Sequence, residues 1–127
     1  MKKLLLLSIL FFSISAFAIE WHKVGEADGK SFYVDVDNIK QQSGFVYYWE
    51  LVDFKEPIFG TLSTISKFKA DCSKKKKAML VTTSYTGQMG KYFVTNEAEY
   101  DGTSFADSSK SIQMKFACEL TRWVEKN

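Results

Sequence analysis

From residue 19 onward, apolar positions recur mainly with a period of two, the spacing of a β-strand with one face inward. Short polar clusters carrying glycine break the pattern into segments. Residues 21–24 read as a strand, 25–29 as a turn and 30–34 as a second strand, which together predict a hairpin with a longer loop. Residues 35–39 read as a strand end running into a short helical turn, and 41–44 as another break. The run FVYYWELVD at 45–53 is the strongest strand signal. Phe45, Tyr47, Trp49 and Leu51 fall on one face, and Val46, Tyr48, Glu50 and Val52 on the other, so the run is expected to be a central strand covered on both sides. Residues 54–60, around the only proline, Pro57, read as a loop. Half-exposed strands follow at 62–69 and 78–85, then a turn at 86–90, a strand at 91–94 and a long surface loop at 95–107. The expected arrangement is an antiparallel meander of about five to six strands.

The last segment carries two periods at once. Ile112, Met114, Phe116, Cys118 and Leu120 alternate with polar or small residues, as in a strand. Ile112, Phe116, Leu120 and Trp123 also share one helical stripe, with Cys118 almost opposite it and Ser108 placed as an N-cap. Periodicity alone leaves both readings open.

The N-terminus changes the compartment. Lys2 and Lys3 precede an apolar run from Leu4 to Ile14, and Ala16-Phe17-Ala18 has the small-x-small pattern of a cleavage site. Residues 1–18 therefore read as a secretory signal peptide, leaving 19–127 as a single domain. No cysteine lies near the cleavage point to carry a lipid, and no later apolar stretch is long enough to span a bilayer. The 17 Lys and Arg residues of the chain face 15 Asp and Glu, and the excess is Lys2 and Lys3. The processed domain is therefore neutral, and no nucleic-acid partner is expected. In an exported chain the only two cysteines, Cys72 and Cys118, are expected to form a disulfide.

Candidate chemistry is sparse. His22 is the only histidine, without a serine motif to complete a triad, and reads as structural or surface. Asp35, Asp37 and Asn38 lack the glycine and distant glutamate of a calcium loop and read as a side-chain-capped turn. The segment from Gly87 to Lys91 is too short for a phosphate loop. No catalytic residue, metal site or cofactor is assigned. Lys74, Lys75, Lys76 and Lys77 remain as the candidate site for an anionic ligand, against the plainer reading of a solvated strand connection that blunts edge pairing.

The order Trp21…Val24, Tyr33-Val34-Asp35…Ile39, Tyr48-Trp49-Glu50-Leu51-Val52-Asp53, Asp71-Cys72, Tyr85…Gly87…Met89-Gly90 and Cys118 resembles the surface-adhesin protein E-like family of small exported bacterial proteins. The resemblance covers nearly all of 19–127. It implies an α+β fold, an antiparallel sheet with a C-terminal helix packed on one face and tied to it by the Cys72–Cys118 crosslink. It also implies a non-enzymatic adhesin of a Gram-negative bacterium that binds host extracellular-matrix or serum proteins, with a protein or glycan ligand and homodimer formation among the expectations. The alternative function is a periplasmic accessory or stress-related domain with no host ligand. The expected location is the periplasm or the outer cell surface.

Overall fold

The computed structural model describes residues 19–127; the expected signal peptide at 1–18 lies outside them. The elements run β1 (Trp21–Ala27), β2 (Lys30–Asp35), a 3-10 turn (Val36–Asn38), β3 (Lys40–Gln42), β4 (Phe45–Ile58), β5 (Thr61–Asp71), β6 (Lys76–Tyr85), a second 3-10 turn (Gln88–Gly90), β7 (Val94–Glu99), β8 (Phe105–Asp107) and α1 (Ile112–Lys126). The class is α+β, as expected, with eight strands rather than about five to six.

The larger count has a simple origin. The sheet order is β1-β2-β4-β5-β6-β7, antiparallel throughout, and the two remaining strands extend positions already in that order. β3 lies beside the first residues of β4 (Lys40 opposite Tyr47), on the edge that β2 occupies further along (Val34 opposite Glu50). β8 likewise continues the edge of β6 that β7 begins (Ala78 opposite Phe105, Val81 opposite Glu99). The 3-10 turn between β2 and β3 is held by Asp35, whose carboxylate accepts from the Asp37 N–H at 3.2 Å and the Asn38 amide at 2.7 Å. This is the capped turn read from the sequence.

Several boundaries differ from expectation. β4 runs on through Pro57 to Ile58 instead of ending at 53. Its pairing with β2 ends at Phe54, opposite Lys30, and its pairing with β5 is broken from Asp53 until Ile58 meets Thr61, so a proline at 57 costs no ladder bond. The segment expected to be one long loop, 95–107, holds most of β7 and all of β8, whereas 91–93 is not strand. Residues 41–42, expected to break the chain, belong to β3. Short polar edge strands carry little apolar alternation and so give a weak signal.

α1 resolves the ambiguity of the last segment. Its N-cap is Ser111, not Ser108: the Ser111 hydroxyl accepts from the Met114 N–H at 3.2 Å. The buried face is Gln113, Met114 and Ala117, whereas Ile112 sits at the margin and Trp123 is exposed. The helix is thus rolled away from its most apolar stripe. Two constraints explain the roll. The Gln113 amide donates to the backbone carbonyls of Tyr33 (3.3 Å) and Leu51 (3.2 Å), and Cys118 must reach the sheet. The side chain of Phe116 stays useful at the flank, stacking on His22 with 5.2 Å between ring centroids. Gly25 lies where β1 shifts register, and a Cβ there would fall 2.2 Å from the Ile112 side chain, so the glycine makes room for the helix start.

Met114 and Ala117 close over Val34, Val46, Tyr48, Phe68 and Ala70 to form the core, with Cys72 and Cys118 at its edge. The Cys72–Cys118 disulfide joins the residue just after β5 to the middle of α1, with 5.9 Å between Cα atoms. It spans 46 positions of sequence, so closing that loop in the unfolded chain accounts for ~4 kcal/mol of stability. Denatured, unreduced protein is therefore expected to show no free thiol, and reduction should lower the unfolding free energy by about that amount. A thiol titration that finds two free sulfhydryls would contradict the crosslink.

Candidate functional site

The four lysines at the β5–β6 connection do not act as one set. Asp71 closes the turn, its carboxylate accepting from the Ser73 hydroxyl at 2.9 Å and the Lys74 N–H at 3.2 Å. These bonds hold the Asp71 carboxyl below the usual carboxylate range, the Ser73 hydroxyl contributing most. Lys75 takes a left-handed backbone angle (φ 54°) at the tip. Lys74, Lys75 and Lys76 are exposed, but Lys76 stands in register between Asp71 on β5 and Asp107 on β8. The local charge is thus partly balanced.

Lys77 has a different role. It lies opposite Ala70 on the helix-covered face, and its ammonium donates to Glu50 at 2.7 Å and to the Ser111 hydroxyl at 3.2 Å. The same ammonium sits 3.9 Å from the centre of the Phe68 ring. Glu50 also accepts from the Tyr48 hydroxyl at 2.5 Å. Burial, reinforced by the Glu50 charge, pushes the Tyr48 hydroxyl pKa well above its ordinary value, so it remains a donor. Sequence alternation had put Glu50 on one face with Val46 and Tyr48. An acid on an otherwise apolar face implies a buried partner, but only the fold names Lys77.

The opposite face of the sheet carries aromatic and lysine side chains side by side. Lys69 lies over Phe45 at 4.3 Å and within 5.7 Å of the Phe105 ring, while Phe45 and Phe105 stack with centroids 5.8 Å apart. Lys67 lies 5.7 Å from the Trp49 ring. The register puts Tyr47 beside Lys69 and Trp49 beside Lys67, so two adjacent rows alternate ring and cation. All of these side chains are half-buried. The loop after β7 covers one margin of this face: Gly102 is buried close to Leu80 and Lys69. The turn at Gln88–Gly90 covers the other, where Met89 N–H donates to Asp53 at 2.7 Å and Ser63 bridges Gly87 and Gly90. α1 packs on β1, β2 and β4 from the other side. The strip between the loops is left as a platform that presents aromatic rings and ammonium groups together. Sequence reading identified the individual aromatics but not their interleaving with Lys67 and Lys69, which needs the β4–β5 register.

A polar cleft of about 600 Å³ lies beside the β1–β2 hairpin, lined in part by Glu26, Ser31, Tyr33, Asp53 and Lys55. Two of its carboxylates are already engaged, Glu26 with Lys23 and Ser31 and Asp53 with the Met89 N–H, while Asp28 lies exposed in the hairpin turn. Lys23 holds the Glu26 carboxyl below the carboxylate range, the reverse of what a general acid requires. Among the described residues, no group of three or more His, Cys, Asp or Glu side chains converges as a metal site would need.

The buried pair gives two expectations. Lys77→Met alone should cost about 3 kcal/mol, because it strands the Glu50 charge, and Glu50→Leu added to it should restore a good part of the loss. Urea denaturation of the two variants checks this. A raised Tyr48 pKa means that the folded state keeps the proton longer than the unfolded state. Its contribution is therefore complete below about pH 10 and is lost as pH rises toward the folded value. Tyr48→Phe should flatten that alkaline loss in pH-dependent melts.

No individual curated protein matches the chain significantly. The sequence profile of the surface-adhesin protein E family matches residues 21–119, from the first residue of β1 to just past Cys118 in α1. The match takes in every strand, both cysteines and the platform, and the chain belongs to the surface-adhesin protein E family.

Proposed function

We propose that this chain is an exported, non-enzymatic binding module of the bacterial envelope, with residues 1–18 removed as a signal peptide and 19–127 acting as one domain. Family membership supports an adhesin-like role at the cell surface. No helix among the described residues is long and apolar enough to cross a membrane. The observation that carries the reading is the platform of Phe45, Trp49, Phe105, Lys67 and Lys69, which the helix leaves uncovered. Its chemistry suits an acidic protein segment or an anionic glycan, such as host extracellular-matrix or serum components present. Lys74, Lys75 and Lys76 form a secondary contact beside it, and Lys77 is excluded because it is committed to Glu50.

Two measurements test the reading. Intact cells treated with protease should lose the protein; protection until the outer membrane is broken would favour the periplasmic accessory role instead. On a heparin column, Lys67→Gln with Lys69→Gln should weaken retention in a salt-dependent way, by roughly threefold to tenfold in affinity, since exposed charge contacts contribute modestly each. Replacing Lys74, Lys75 and Lys76 by Gln should have a smaller effect. Equal retention of all variants would remove the platform from the binding role.

A further inference from the structure

Three hairpins in this fold turn through the same pair of left-handed residues. The pairs are Asp28-Gly29 (φ 52° and 74°), Ser43-Gly44 (54° and 83°) and Phe59-Gly60 (48° and 76°). In each, the flanking residues are paired: Ala27 with Lys30, Gln42 with Phe45, and Ile58 with Thr61. Such two-residue turns favour Asn, Asp or another small polar residue at the first position, because a left-handed backbone crowds a larger side chain. Two of the three follow that rule. The third puts a phenylalanine there, and its side chain is fully exposed. Nothing in the fold accounts for that choice.

A second segment brings more apolar surface to the same end of the sheet. Thr61, two residues after Phe59, shares a 3.0 Å hydrogen bond with Thr95, two residues after Phe93. Tyr92 is 81% exposed and Phe93 78%, and Ile58 and Val94 are each about half exposed. Tyr92 also holds a left-handed angle (φ 71°) and leans on Gly87. Five exposed apolar residues thus gather on two neighbouring loops, where scattered single residues would need no explanation. Lys91 adjoins Tyr92 and Lys55 lies three residues before Ile58, with Glu56 and Glu97 at similar range in sequence and Asp28 in the cleft beside Ile58, so the two lysines sit among acids and the apolar side chains are the main feature of the tip.

We propose that this tip, Ile58, Phe59, Tyr92, Phe93 and Val94, is a docking site for a lipid surface, the rings entering the interfacial layer and Lys55 and Lys91 meeting headgroup phosphates. A hairpin end and an adjoining loop form a projection, not a groove, so the side chains can enter one apolar layer together. Aromatic rings next to lysines are the composition that a membrane interface accepts. The contact is independent of the platform and of its ligand.

The test uses the exported protein with one labelling thiol, Phe93→Cys, carrying a polarity-sensitive fluorophore, since both native cysteines are bridged. Vesicles of phosphatidylethanolamine and phosphatidylglycerol should shift its emission to the blue, and adding Phe59→Asn should reduce vesicle partitioning at least tenfold. Because Asn suits the turn, Phe59→Asn should leave the melting temperature unchanged or higher, which separates lost docking from lost folding. Lys55→Gln with Lys91→Gln should weaken binding to phosphatidylglycerol vesicles and leave uncharged ones nearly unaffected. The proposal is overturned if the fluorophore stays in water with every vesicle, or if Phe59→Asn partitions as the parent does. An emission shift that follows protein concentration without lipid would likewise overturn it and assign the tip to self-association.

Discussion

Glu50 carries a charge in the middle of the β4 core face, and the tertiary structure is arranged around satisfying it. The Lys77 ammonium reaches it from β6, the Tyr48 hydroxyl from two residues away, and Lys77 in turn contacts the hydroxyl that caps α1. Isolated buried charge is far costlier than the net gain from a typical ion pair, so the network acts chiefly as a constraint on geometry. It fixes where the helix starts. The Cys72–Cys118 bridge then fixes a second point nearer the helix C-terminus, and the two together fix which face turns inward. Met114 and Ala117 face the sheet as a consequence, even though the stripe through Ile112 and Trp123 is more apolar.

That placement also determines what remains for function. α1 covers β1, β2 and β4 on one face, and loops from the far edge fold only partly over the other. The uncovered strip keeps its aromatics from open water by laying lysine stems across them, an economical use of side chains with apolar bodies and charged heads. The lysine run at the β5–β6 turn contributes less than its density suggests, since one member is internal and another stands between two aspartates.

Much of the fold was legible from local pattern. Alternation located β2, the core of β4, and β5 and β6, and Asp35 with Asn38 marked the capped turn after β2. The compartment argument paired Cys72 with Cys118, and the geometry agrees. The misses share a cause. β3, β7 and β8 are short, polar edge strands whose pairing depends on neighbours distant in sequence, so their own residues carry little signal. Ser108 and Ser111 are equally good caps by residue type, and only the fold distinguishes them: the Ser108 hydroxyl donates to the Ala106 carbonyl, whereas the Ser111 hydroxyl accepts from the Met114 N–H and meets Lys77.

The sequence by itself determined the class of structure, the central strand, the bridged cysteines and the family, because these rest on periodicity, residue chemistry and the order of motifs along the chain. Tertiary structure alone decided which lysines are free, how rings and cations interleave across β4 and β5, and which helix face is buried. Each of those depends on register and on a buried charge finding its partner across 27 positions of sequence, a separation that no local pattern encodes.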